Sequence, residues 1–129
     1  MNADVARTPI DSPGEHYYGI DIADDGALVI AERRNGKRTE ASRYPAGATG
    51  VSALREHIAH DRSRSHVCIR ACGAAALAIA TGLTALPRVE VTLVTPRAIE
   101  SQLRSGRDST SASPEERAQR LARLAERLF

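Results

Sequence analysis

Asn35-Gly36 follows an apolar run and precedes a polar one, and this dipeptide narrows the folds open to the chain more than any other feature. Both of its residues tolerate the left-handed backbone of a two-residue hairpin turn, so the runs on either side are read as antiparallel neighbours. Upstream lies Ala27-Leu-Val-Ile-Ala31, and Lys37 to Tyr44 returns as a third strand. Before both, Tyr17-Tyr-Gly-Ile-Asp-Ile22 alternates, with Tyr18, Ile20 and Ile22 on one face and Tyr17, Gly19 and Asp21 on the other. An antiparallel meander of three strands follows from this pattern.

The pattern then changes to strand–helix units. Thr49 is expected to cap a helix beginning near Gly50, with Val51, Leu54, Ile58 and Ala59 as its apolar stripe and Arg55, Glu56 and His60 in water. His66–Arg70 reads as strand four, Gly73–Ala85 as helix two and Val89–Thr95 as strand five, with Pro96 opening a third helix. The order is βββαβαβα plus a C-terminal helix. A meander followed by βα units gives a mixed five-stranded sheet flanked by helices, the first strand central and the fourth and fifth parallel to it. The expected segments are a mobile tail over 1–14, a core over 15–104, a Ser/Gly/Asp-rich linker over 105–113 and a helix over 114–129. Ser113-Pro-Glu-Glu116 is a capping box, and Ala118, Leu121, Ala122, Ala125 and Leu128 form the stripe of that last helix.

Composition limits the chemistry. At 129 residues, 42% hydrophobic and 26% charged, the chain suits one domain. The net charge of +2 rests almost wholly on arginine, Lys37 being the only lysine. Arginine forks phosphate bidentately, which keeps nucleic acid open as a partner. The only aromatics are Tyr17, Tyr18, Tyr44 and Phe129, too few for a base-stacking platform. Cys68 and Cys72 have no zinc-site spacing and read as reduced core thiols, and the four histidines read as solvated. No phosphate loop, H-E-x-x-H or G-x-S-x-G motif occurs. With neither a signal core nor a spanning apolar run, a cytoplasmic protein without membrane contact is expected.

GIDIADDGALVI, the Asn-Gly hairpin, GATGVSAL, the VCIRACG strand-to-helix turn and VEVTLVTPRAIES together resemble the N-terminal domain of DEDD-type insertion-sequence transposases. These are RuvC-like recombinases whose elements can encode a bridge RNA. The resemblance spans about Tyr17 to Phe129 and implies an RNase H-like (RuvC-like) fold, DNA transposition as the ancestral activity and Mg2+ as the family's cofactor. It places Asp21 on the family's first acid. Arg70 stands where the second acid belongs, and Pro114 and Arg117 stand at the last two, with Asp108 as a displaced remnant. Asp24 and Asp25 are read as turn residues, and Glu115 and Glu116 as first-turn acids rather than substitute ligands.

Two-metal phosphodiester chemistry needs carboxylates converging on cations about 3.5–4 Å apart. Asp21 alone does not supply them, so no metal is expected here. Arg70 is instead expected to pair with Asp21 in the metal's place. The family's nucleophilic serine belongs to a separate domain, so strand transfer by this chain alone is not expected. The expected function is a catalytically inactive nucleic-acid (DNA or structured RNA) binding module, with Arg33, Arg34, Lys37, Arg38, Arg104, Arg107, Arg117, Arg120 and Arg123 as contacts. One alternative is a protein-interaction domain that forms a homodimer through the C-terminal helix, and another is a nuclease with a rearranged site.

Overall fold

The computed structural model describes residues 15–34, 36–38, 40–60, 64–71, 73–95, 97 and 113–128. The tail over 1–14, the helix opening at Pro96, Arg104, Arg107, Asp108 and nearly all of the linker lie outside these residues.

Strand β1 (His16–Ile22) is followed by β2 (Leu28–Arg34), β3 (Lys37–Arg38), β4 (Ser42–Tyr44), helix α1 (Ala48–Ala59), β5 (Ser65–Arg70), α2 (Ala74–Thr84), β6 (Val89–Val94) and α3 (Pro114–Leu128). The main sheet order is β3-β2-β1-β5-β6, with β4 also on β2. β1 pairs antiparallel with β2 and parallel with β5, and β5 pairs parallel with β6. This is the α/β arrangement with a mixed sheet that the sequence pattern predicts.

Local chemistry explains the turns. Arg34 pairs with Lys37 across the Asn-Gly turn, and Gly36 takes φ +78°. Between β1 and β2, Asp25 Oδ1 accepts the Ala27 N–H at 3.0 Å, and Gly26 has φ +89°. Asp25 therefore shapes a turn, as its position before glycine suggests. The predicted third strand is split, because pairing passes from Arg33↔Arg38 to Ile30↔Ser42, which leaves one more residue on the edge strand than on β2. That is the signature of a bulge, which bends an edge strand.

Each face of the sheet has its own core. Tyr18, Ile20, Leu28, Ile30, Val67 and Ile69 point toward α1 and α2, where Leu54, Ile58, Ile79 and Leu83 cover them. On the other face, Val29, Ala31 and Cys68 meet Ala118, Leu121, Ala122, Leu124 and Ala125 of α3. Burial on both sides is why the middle of β2 reads as a continuous apolar run instead of alternating.

Helix α1 departs from expectation at its start. It begins at Ala48, capped by Gly47 at φ +92° without a side-chain hydrogen bond, so Thr49 lies inside the helix. Ala59 is exposed rather than part of the stripe. Arg55, expected in water, is half-buried: its Cδ lies 3.4 Å from where a Cβ on Gly82 would stand, so its stem runs over that glycine.

Helix α3 packs on β1, β2 and β5. Its capping box forms as predicted: Glu116 N–H donates to Ser113 Oγ at 3.1 Å, and Ser113 N–H donates to Glu116 Oε1 at 2.9 Å. Close approach depends on Gly19, where an added Cβ would lie 2.1 Å from the Ala118 carbonyl oxygen and 2.3 Å from Ala122 N. The stripe includes Leu124, 1% exposed, in place of Leu128, 49% exposed. The stripe expected to serve a homodimer is thus covered by the chain's own sheet. Among the described residues no helix is long and apolar enough to cross a membrane.

Candidate functional site

Asp21 lies one residue from the carboxyl end of β1, on the α3 face of the sheet, with none of its side chain exposed. Neighbouring β5 runs parallel in the register Ile20↔Ile69, which brings Arg70 beside it. Arg70 Nε donates to Asp21 Oδ1, and its Nη2 reaches the Ile22 carbonyl at 3.4 Å. The expected ion pair is present. A second arginine completes it: Arg117 Nε donates to Asp21 Oδ2 at 2.8 Å from the first turns of α3. The two arginine side chains, about a fifth exposed, close on one carboxylate from two different elements.

This role of Arg117 differs from the phosphate contact that the sequence suggests. One signal was available. Arg117 heads the row Arg117, Leu121, Leu124, Leu128 at helical spacing, and an arginine in an apolar register needs a buried acid. Asp21, on the inward face of a central strand, is that acid.

The arrangement does not suit a divalent metal ion. Both carboxylate oxygens of Asp21 already accept a charged N–H. At an effective dielectric near 20, a divalent ion about 4 Å from a guanidinium is repelled by roughly 8 kcal/mol. The substitute acids are engaged elsewhere. Glu115 accepts from Arg43 Nε at 2.6 Å, which lowers its carboxyl from the ordinary value, and Glu116 serves the capping box. Pro114 is the first residue of α3, where its missing N–H costs nothing. Among the described residues no group of three or more His, Cys, Asp or Glu is arranged to hold a metal ion.

The expected phosphate contacts divide. Arg33 Nε donates to Glu126 at 2.8 Å and Arg33 Nη2 to the Gly36 carbonyl at 3.1 Å, so this residue ties the hairpin to α3. Arg117 is held by Asp21. Arg34, Lys37 and Arg123 are exposed and Arg120 is half-buried, while Arg38 is placed through its strand pairing with Arg33.

At the opposite end of β1 lies a web absent from the sequence reading. His16 and His66 are 4% and 5% exposed, which corrects the expectation of solvated histidines. His66 Nε2 and Nδ1 each stand 3.2 Å from a carboxylate, of Glu15 and Glu90 respectively, and its ring stacks on Tyr17. Glu32 lies between His16 and His57 at 3.7 and 3.8 Å, and Tyr44 Oη is 2.6 Å from His57 Nδ1. Burial lowers the His16 imidazole, and the neighbouring His57 lowers the Glu32 carboxyl. Cys68 is buried, and burial pushes its thiol up to about 11, as suits an inert core residue.

No protein-family model matches the chain, and no curated protein sequence matches it.

Proposed function

We propose that this chain is a non-catalytic RNase H-like domain of DEDD-transposase ancestry that binds nucleic acid through its phosphates. The observation that carries the reading is the closure of Arg70 and Arg117 on Asp21. The acid aligned with the family's first metal ligand is neutralised by arginines at two positions where the resemblance expects acids. The central β1, antiparallel to β2 and parallel to β5, with helices on both faces, supports the same ancestry. With the site closed to a divalent ion, the chemistry left to a basic, arginine-rich surface is phosphate recognition, which supplies affinity without sequence choice.

The test is fluorescence anisotropy with a labelled duplex, paired with a cleavage assay, at matched ionic strength with and without Mg2+. Expected are binding that weakens steeply with salt and no cleavage in either condition. Absence of binding, or Mg2+-dependent cleavage lost in Asp21→Asn, overturns the proposal. A companion NMR titration with Mg2+ should leave resonances around Asp21 unmoved in the natural protein and shift them in Arg70→Glu. A response in the natural protein would mean that a metal ligand has gone unidentified.

A further inference from the structure

Charge on α3 is sorted by direction. The helix carries three acids, and each is engaged within the fold: Glu115 with Arg43, Glu126 with Arg33 and Glu116 with the Ser113 backbone. Of its four arginines, Arg117 turns inward to Asp21. The other three, Arg120, Arg123 and Arg127, fall on the side opposite Ala118, Ala122 and Ala125, which are fully buried. Arg123 and Arg127 are exposed and Arg120 is half-buried. Spacing of three and four residues aligns the three along a single ridge, about 10.5 Å from first to last at 1.5 Å per residue.

Building on the reading above, we infer that this outer ridge of α3 is the surface that takes the phosphate backbone of duplex DNA. The crevice at Asp21 is not that surface, because its arginines are already bound to a carboxylate. Near the helix C-terminus the Arg33–Glu126 pair ties the β2–β3 hairpin to α3, whereas exposed Arg34 and its strand partner Lys37 fall on the α1 face of the sheet, off the ridge. Positive charge at a helix C-terminal end also suits the macrodipole, so Arg127 stays compatible with a stable helix before any ligand arrives.

The ligand follows from shape and from ring chemistry. Tyr18 is buried, Tyr17 stacks on His66 and Tyr44 packs against His57, so none of the three tyrosines is placed as an open platform for unpaired bases. That disfavours a single strand. Helix α3 is seated flush on Gly19, which leaves only its convex ridge to meet a partner. A ridge of this length suits the phosphates bordering the B-form major groove, about 12 Å wide, whereas those bordering the narrow A-form major groove stand too close together for it. Contact is to the backbone, so little sequence preference follows.

The experiment measures anisotropy of a labelled DNA duplex across a salt series, for the natural chain, Arg120→Ala/Arg123→Ala/Arg127→Ala and Arg34→Ala/Lys37→Ala, with circular dichroism to check folding. Three lost contacts should flatten the slope of log K against log salt by about 2.7. Between about 50 and 200 mM salt the natural chain should then lose roughly 40-fold more affinity than the triple variant. The hairpin variant should lose less. Unchanged binding and slope in a folded triple variant would overturn the ridge while leaving the nucleic-acid reading standing. Failure of the natural chain to bind any duplex would overturn both. Tighter binding of a single strand or an RNA duplex of the same length would overturn the choice of duplex DNA.

Discussion

The two ends of β1 solve the same problem with different chemistry. At the carboxyl end a buried carboxylate is neutralised by two arginines, charged at any ordinary pH. At the amino end, carboxylates are interleaved with histidine and tyrosine: Glu32 between His16 and His57, and Glu15 and Glu90 about His66. The first end is an arginine–carboxylate cluster and the second a web of carboxylate, imidazole and phenol groups. Burying polar groups near a sheet centre is tolerated at both ends, and at the second the His16 imidazole and the Glu32 carboxyl are both lowered from their ordinary values.

The largest effect should come from removing the carboxylate. Asp21→Ala removes the carboxylate that Arg70 and Arg117 share, a loss of about 3–5 kcal/mol, toward the lower figure because the arginines can hydrate. Urea denaturation measures it. Replacing all three residues with Leu and Met should recover much of the loss, and a triple variant as unstable as Asp21→Ala would show that the charges themselves are not the cause.

Gly19→Ala separates the ends from the middle of the strand. Its Cβ would collide with the α3 backbone, so the helix must lift, at a cost of about 1–3 kcal/mol or more. Hydrogen exchange should then quicken in α3 while α1 stays protected. Equal loss of protection in both helices would mean that the two faces do not open independently. A smaller change is expected from Ser113→Ala, which removes one half of the capping box and should cost about 1 kcal/mol in the same urea assay.

The mildest effect is the one that tests the amino end. The His16 imidazole is lowered from 6.5, so the unfolded chain takes up its proton first, and stability should fall as pH drops below about 6.5. The Glu32 carboxyl is lowered from 4.5, which adds stability above that pH and withdraws it as pH falls further. His16→Asn should flatten the first part of this decline. An identical stability–pH curve in the variant would show that burial of His16 is not coupled to folding in this way.

Much of this architecture was legible because it rests on short-range chemistry. The Asn-Gly turn, the alternation through β1 and the capping box before α3 are each set by residues a few positions apart, and each appears as read. Errors fell where a local rule had a competitor. Gly47 displaced Thr49 as the cap because a positive φ admits glycine without any hydroxyl. The histidines read as solvated because nothing local shows that Glu32 and Glu90 lie across from them.

The amino-acid sequence by itself determined the order of the main strands and helices, most of their inward faces and the neighbourhood of Asp21 and Arg70, since parallel neighbours at matching register must bring those positions together. Only the tertiary structure decided that Arg117, 96 residues from Asp21, would take the second carboxylate oxygen. That contact exists because α3 lies across Gly19 at a separation no larger residue allows, and helix placement depends on packing that local patterns do not encode. The same placement turned Arg120, Arg123 and Arg127 outward together, so one docking event set both the closed site and the exposed ridge.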